Sequence, residues 1–268
     1  MFSAWLTIYL SVVQVAAPHG IIERLENQFH ISDVESVVVQ GITIYHGRRT
    51  DYSGGLVIFT RGGHILDTTE YCPSCDSSIF AADLDRDGHT EIVVTNYTYG
   101  AHCCTIYEFY RVKNGRLKYI GELYAGNGGI TFKDYDGDGI IEMLLWNDDF
   151  AYFETSFAAS PWYFNIIQLR GNRFVDVSKK FRALIEKDIN RIKRDIVNRK
   201  ATLPHHSLAV ELYVRFKLIG ERRKGLEAVR LYLPDSYRWL LKNIASIDSL
   251  VNSSLSERVS YEKKAGLF

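Results

Sequence analysis

The sequence reads AADLDRDGHTEIVV at residues 81–94 and FKDYDGDGIIEMLL at residues 132–145. Both segments follow the frame Asp-x-Asp-x-Asp-Gly-x-x-Glu, then continue into apolar residues, and the copies lie 51 positions apart. Self-similarity at a period near 50 residues is typical of repeat proteins whose units contain several strands. The two segments therefore predict a repeating β architecture.

Glycine turns mark the strand pairs of this region. Alternating apolar runs flank each turn, which is the pattern of a tight β-hairpin. The three turns are Gly62-Gly63, Asn114-Gly115 and Gly171-Asn172. Because two of them follow the acidic segments and one precedes both, we infer three repeats within residues 21–176.

The first repeat is degenerate. Residues 35–40 are interpreted as the counterpart of the strand that begins at Glu91, and the preceding residues 29–35 lack the carboxylate series. Three units with several strands each fall short of the four to eight blades that close a propeller. We therefore expect a propeller-blade-like region that is partial or open.

The acidic segments have the chemistry of calcium loops. Alternating carboxylates in a tight loop converge on one centre, and such hard oxygen ligands in a flexible loop favour calcium over magnesium. The glutamate is at position 9 and leads into a strand, unlike the position-12 glutamate of an EF-hand. Two Ca²⁺ sites are predicted, with ligands Asp83, Asp85, Asp87 and Glu91, and Asp134, Asp136, Asp138 and Glu142.

These loops and their strand context resemble the calcium loops of FG-GAP/VCBS-type repeats, the units of integrin-like propellers. The resemblance covers roughly residues 30–176 and assigns the same eight carboxylates as ligands. Residues 99–104 and 146–152 also resemble segments of uncharacterised exported bacterial proteins with such repeats. The resemblance implies a binding module with structural calcium, and no activity.

The net charge of zero hides two unlike halves. Up to Asp176 the chain has 12 basic and 22 acidic residues, and from Val177 onward it has 20 basic and 10 acidic ones. The neutral total argues against a dedicated nucleic-acid binder. The basic half could face solvent or contact an anionic lipid, a nucleic acid or a partner. We predict that it docks on the acidic repeats and covers their open edge.

Residues 177–268 have helical periodicity. Apolar residues recur at helical spacing from Phe181 to Ile196, with Ser178 as the predicted N-cap and Pro204 as a stop. Further helices are predicted over about residues 207–219, 220–233 and 237–252. A helical C-terminal region therefore follows the β repeats.

The N-terminus is typical of an export signal. Residues 2–17 carry no charge and end in Val15-Ala16-Ala17, which resembles a cleavage site. Sixteen residues are short for a bilayer span, which needs about 20. We predict a signal peptide over residues 1–17, no further transmembrane span and a periplasmic or secreted protein; an uncleaved anchor or a buried first strand are the alternatives.

Four cysteines occur in two clusters, Cys72 with Cys75 and Cys103 with Cys104. In an oxidising compartment an even count predicts structural disulfides, although four cysteines allow three pairings. A thiol-disulfide redox protein built on Cys72 and Cys75 is one alternative. A zinc site that adds His102 to the thiols is another.

Carboxylates outside the loops suggest a rival enzymatic function. Asp148, Asp149 and Glu154, with Tyr97 or Tyr99, could line a cleft for glycan hydrolysis. Because no nucleophile motif accompanies them, we predict a non-enzymatic module for a protein or glycan ligand. An aromatic binding face is a further hypothesis, and its members would be Trp146, Tyr152, Trp162 and Tyr163.

Overall fold

The computed structural model describes residues 19–51, 54–71, 79–97 and 104–262, and the predicted signal peptide lies outside them. Three antiparallel sheets occupy the first two thirds of this part of the chain. They follow helix α1 (His19–Phe29) and precede a helical C-terminal region. The described residues form no closed barrel or propeller. The coarse prediction of a mostly β region followed by a helical C-terminal region is confirmed.

Each sheet contains four consecutive strands in a simple meander. The first sheet consists of β1 (Ile31–Val39), β2 (Ile42–Arg49), β3 (Gly55–Arg61) and β4 (His64–Tyr71). The second consists of β5 (Ile79–Ala82), β6 (Thr90–Tyr97), β7 (Thr105–Lys113) and β8 (Arg116–Gly126). The third consists of β9 (Ile130–Lys133), β10 (Glu142–Asn147), β11 (Tyr163–Arg170) and β12 (Arg173–Asp176).

The predicted hairpin turns are confirmed. Each glycine dipeptide joins the third and fourth strands of its sheet. Asn114 and Gly115 have φ angles of 52° and 65°, the left-handed region that a two-residue hairpin turn requires. The turn sequences therefore set the strand register locally.

The predicted alignment of the first repeat is wrong. Residues 35–40 belong to the first strand of its sheet and the turn after it, whereas Glu91 is the second residue of β6, the second strand of the next sheet. Gln40 and Gly41 have φ angles of 46° and 80° and make a two-residue turn where the other two sheets have acidic loops. β2 is the counterpart of β6, because it follows that turn.

The three sheets pack face to face in a stack, with the second sheet in the middle. Phe59 of the first sheet meets Tyr110 of the second, with ring centroids 4.8 Å apart. On the opposite face of the second sheet, Phe109 meets Phe174 of the third at 4.9 Å. Because successive side chains of a strand point to opposite faces, β7 supplies both contacts. The second sheet is thus buried on both faces.

Helices cover the two ends of the stack. On the outer face of the first sheet, Leu25 of α1 packs with Ile58. On the outer face of the third sheet, Ile166 belongs to one core cluster with Ile189 and Leu212 of the C-terminal helices. All five side chains are at most 2% exposed. In the described part of the chain, helices therefore pack on the outer faces of both outer sheets.

The C-terminal region contains four α-helices among the described residues. They are α2 (Arg182–Val197), α3 (His205–Leu218), α4 (Arg222–Tyr232) and α5 (Pro234–Arg258). α2 buries Ile185, Ile189 and Ile192, the one-sided spacing that the sequence predicted. None of the helices in the described ranges is long and apolar enough to cross a membrane.

Two details of the helix prediction are wrong. Ser178 does not cap α2; Phe181 precedes the helix, and the Ser178 hydroxyl instead accepts the Ile166 amide at 2.9 Å. The last helix, α5, begins at Pro234 and not at about residue 237. Proline fits the first turn of a helix because no intrahelical partner awaits its missing N–H.

The C-terminal end of α5 returns to the sheets. Strand β13 (Val259–Ser260) pairs with β8 and adds a fifth strand to the second sheet. Val259 lies opposite Leu123, and Gly121 allows the close approach of the Ser260 carbonyl. The last described residues therefore shield part of a sheet edge.

Candidate metal centre

Both acidic loops connect the first and second strands of their sheets and have the same backbone design. The Asp83 carboxylate accepts the amides of Asp87 and Gly88 at 3.1 and 2.9 Å. The Asp134 carboxylate accepts amides in its own loop, including that of Gly139 at 3.0 Å. Gly88 and Gly139 have φ angles of 83° and 85°, which disfavour any side chain at these positions. The carboxylate of the first aspartate thus holds the backbone of each loop in a tight turn by accepting its amide hydrogens.

The structure brings three of the four predicted ligands together in each loop. Within each group, carboxylate oxygens from all three residues lie within 4.8 Å of one another. The groups are Asp83, Asp85 and Glu91, and Asp134, Asp136 and Glu142. Asp87 and Asp138 lie outside them, and their carboxylates accept the amides of His89 and Ile140.

The closing glutamates are fully buried. Glu91 accepts the Leu84 amide at 2.9 Å and the Arg111 Nε–H at 2.5 Å. Burial raises the pKa of the Glu91 carboxyl to about 7, even though both of these hydrogen bonds lower it. Burial also raises the pKa of Glu142, which accepts the Tyr135 amide. Each loop therefore holds a carboxylate that gains from a nearby cation.

Three partners of these loops were missed by sequence reasoning. Arg111 binds the first loop from β7, and Gln168 binds Glu142 from β11 with Nε2 and Oε1 2.6 Å apart. Lys180 lies with its Nζ 2.7 Å from Asp136 and 2.9 Å from Asp138. The one sequence signal for these partners is Arg111 itself, a basic residue in the interior of an otherwise apolar strand.

The two loops touch each other. Arg86 of the first loop donates to the Asp138 carbonyl of the second at 2.5 Å. The Ile141 amide donates to the Leu84 carbonyl, and the Gly171 amide donates to Asp85, both at 2.9 Å. The loops therefore form one continuous polar surface along the second and third sheets.

One loop oxygen is left without a partner. Asp85 Oδ2 accepts Arg111 and Gly171, but Asp85 Oδ1 is buried and has no hydrogen bond within the described residues. An unpaired buried carboxylate oxygen is costly unless a cation or a donor compensates it. With hard oxygen donors around it, this atom fits a divalent cation.

The carboxylates considered for glycan hydrolysis form ion pairs and hydrogen bonds with side chains of the C-terminal helix α5. Arg258 binds Asp148 at 2.7 Å and also binds Asp149. Glu154 accepts the Trp239 Nε1–H at 2.7 Å. These three carboxylates are therefore engaged in packing the C-terminal helix, and Tyr99 lies outside the described residues.

The four aromatic side chains do not share one exposed face. Tyr163 is buried, and Trp146 is half-buried against Phe164 with ring centroids 5.2 Å apart. Trp162 is half-buried next to Phe157, whereas Tyr152 is exposed. Trp146 and Tyr163 belong to the core.

The cysteine predictions fall mostly outside the described residues. The residues outside the described ranges are Cys72, Cys75, His102 and Cys103. Cys104 is described; it is buried, and its sulfur lies 2.6 Å from the Tyr124 hydroxyl oxygen. The disulfide, redox and zinc hypotheses remain predictions.

The chain is similar to parts of two longer proteins. No family model matches it. It is 28% identical over 176 residues to a probable thylakoid lumen protein of Synechocystis sp. (strain ATCC 27184 / PCC 6803 / Kazusa), covering 63% of this chain and 52% of the relative. It is 33% identical over 96 residues to the uncharacterized protein y4bJ of Sinorhizobium fredii, a match that covers 35% of this chain and 15% of that protein. The chain thus matches about half or less of each relative, and no solved structure matches it.

Proposed function

We propose that the protein is an exported, calcium-binding repeat protein that acts as a binding or interaction module. The observation that carries the proposal is the repetition of one loop design, with three converging carboxylates, in two neighbouring sheets. A single acidic turn could arise by chance, but two with the same hydrogen-bonding order favour a shared ligand. The unpaired Asp85 oxygen supports the same ligand.

Calcium in these loops would have a structural role. One ion would be held by Asp83, Asp85 and Glu91. The other ion would be held by Asp134, Asp136 and Glu142. The ion supplies positive charge that offsets repulsion among the carboxylates and so stabilises the folded loops. We interpret each four-stranded meander as an FG-GAP/VCBS-like blade. Two of the three blades have a calcium loop, and the three form an open array.

Export is the second part of the proposal. The uncharged segment at residues 2–17 and the probable thylakoid lumen protein among the relatives both favour a compartment outside the cytoplasm. In such a compartment the four cysteines would form disulfides that stabilise the repeats. The ligand of the module would be a protein or a glycan.

Thermal unfolding of the chelator-treated full chain tests the calcium proposal. We expect about 1 mM calcium to raise the melting temperature by several degrees, because a ligand that binds only the folded state stabilises it. The double variant Asp83→Asn/Asp134→Asn should not respond, whereas the exposed control Glu227→Gln should respond like the parent chain. Equal curves with and without calcium in the parent chain would refute the proposal.

A further inference from the structure

The two proposed calcium loops differ in the side chain that faces the closing glutamate. Arg111 lies opposite Glu91 in the β6–β7 ladder. In the β10–β11 ladder, the pairing of Met143 with Ile167 places Gln168 in the corresponding position beside Glu142. One loop is therefore built against a positive charge and the other against a neutral amide.

Arg111 contacts three carboxylates of the first loop. Its Nε lies 2.5 Å from Glu91, its Nη2 2.7 Å from Asp85 and its Nη1 3.4 Å from Asp87. The side chain is only 7% exposed and extends from the interior of β7. The guanidinium cannot leave these carboxylates for water without disrupting the strand around it.

The first loop still has an oxygen to offer a cation. The Asp85 side chain is 5% exposed, and its Oδ1 has no hydrogen-bond partner in the described structure, although its Oδ2 binds Arg111. A divalent ion bound by Asp85 would therefore lie within a few ångströms of a fixed positive charge. Like charges at such a distance repel, and burial strengthens the repulsion.

The second loop lacks a fixed charge of this kind. Gln168 donates a neutral amide N–H to Glu142. Among the described residues, Lys180 is the cation that binds carboxylates of this loop: its ammonium contacts Asp136 and Asp138, and its side chain is 42% exposed. The exposed Arg86 also reaches this loop, but it donates to the Asp138 backbone carbonyl. Lysine has a flexible stem, so an incoming ion can displace its ammonium into solvent.

We propose that the two sites fill in order, with the loop of residues 134–142 binding calcium more tightly than the loop of residues 83–91. Arg111 sets the difference by lowering the affinity of the first loop. This inference rests on the proposed calcium function. It makes the first loop a sensor of higher calcium concentration and the second a site that stays occupied at lower concentration.

Isothermal titration calorimetry on the full chain tests the order. The parent chain should give one tight and one weak calcium class, differing by about tenfold or more. Asp134→Asn should remove the tight class, and Asp83→Asn should remove the weak one. Two classes assigned in the opposite order, or two equal sites, would overturn the inference while leaving the calcium function intact.

Exchanging the two strand residues tests the cause. Arg111→Gln should tighten the weak class about tenfold, because it copies the Gln168 environment that the chain already folds around. Gln168→Arg should weaken the tight class by a similar factor. If both variants fold, as judged by circular dichroism, and neither class moves, Arg111 does not set the difference. If Arg111→Gln does not fold, Gln168→Arg alone decides the question.

The two hypotheses fail in different ways. Absence of calcium binding in the parent chain and in Arg111→Gln would refute the proposed function itself. Lys180→Ala is the control variant, because it removes an exposed cation that calcium is expected to displace into solvent. It should tighten the second loop by less than the Arg111→Gln change tightens the first, and a larger effect would assign the control of affinity to Lys180.

Discussion

The Arg258 guanidinium at the end of α5 lies 2.7 Å from the carboxylate of Asp148, which directly follows β10. The same guanidinium donates to the Tyr124 carbonyl on β8 at 3.1 Å. Arg258 is buried and thus joins the C-terminal helix to both the second and the third sheet. The Arg258 side chain, distant in sequence from both sheets, therefore bridges the two sheets where they meet.

Removal of this guanidinium should destabilise the protein strongly. Arg258→Ala leaves the carboxylates of Asp148 and Asp149, which are only 12% and 13% exposed, without a counter-ion. Loss of one partner of a buried ion pair typically costs about 3–5 kcal/mol. Arg223→Ala is the matched control, since its ion pair with Glu227 is exposed and contributes less than about 1 kcal/mol. Urea unfolding measures both, and equal losses would contradict a structural role for Arg258.

Acid should weaken the same contact. Burial raises the pKa of Asp148, but hydrogen bonds from Arg258 and Asn127 outweigh it and leave the pKa below its ordinary value. A lowered pKa in the folded state contributes stability above about pH 4 that is lost as the pH falls through the folded-state pKa. Asp148→Asn should therefore reduce the free energy of unfolding at pH 7, and the difference from the parent chain should shrink as the pH falls through the lowered pKa of Asp148. A difference between the two proteins that is constant with pH would exclude this ionisation.

Gly126 makes room for the Asp148 carboxylate. A Cβ at Gly126 would lie 2.5 Å from Asp148 Oδ1, and the residue has a φ of 56°. Gly171 has a φ of 60°, but a Cβ there would meet no atom within 4 Å. Both alanine variants carry backbone strain of about 1–2 kcal/mol, and only Gly126→Ala adds the clash. Urea unfolding should show the larger loss for Gly126→Ala, and equal losses would count against this packing.

The helical region should be required for solubility of the sheets. A chain that ends at Asp176 exposes the buried Phe164 and Ile166 of the third sheet and removes the strand that pairs with β8. An exposed apolar face with an open sheet edge favours association. Size-exclusion chromatography with light scattering should show aggregates for this fragment and a monomer for a control chain ending at Glu262. A monomeric fragment would contradict docking of the helices on the repeats.

Local chemistry explains which features the sequence could reveal. Asn114-Gly115 demands a left-handed turn, and the isoleucine spacing of α2 demands a buried face, so both could be predicted without tertiary information. The first repeat was misaligned because Gln40-Gly41 replaces an acidic loop with a two-residue turn and so shortens the connection. Spacing to Glu91 alone could not detect this shortening.

The partners of the candidate site depend on contacts between distant residues. Arg111 reaches Glu91 across a strand pair, and Lys180 reaches Asp136 from beyond the third sheet. Sequence spacing predicts four ligands in each loop. Three of them converge in the structure, whereas Asp87 and Asp138 lie outside these groups and accept backbone amides. Such neighbours follow from sheet register and layer order, which the repeat pattern alone does not specify.

Calcium stoichiometry of the full chain tests the central claim most directly. Equilibrium dialysis of chelator-treated protein at about 1 mM calcium, with the metal counted by atomic emission, should give two ions per chain. Asp83→Asn and Asp134→Asn should each give one, and the double variant none. Fewer than one ion per parent chain, or an unchanged count in the double variant, would contradict the account.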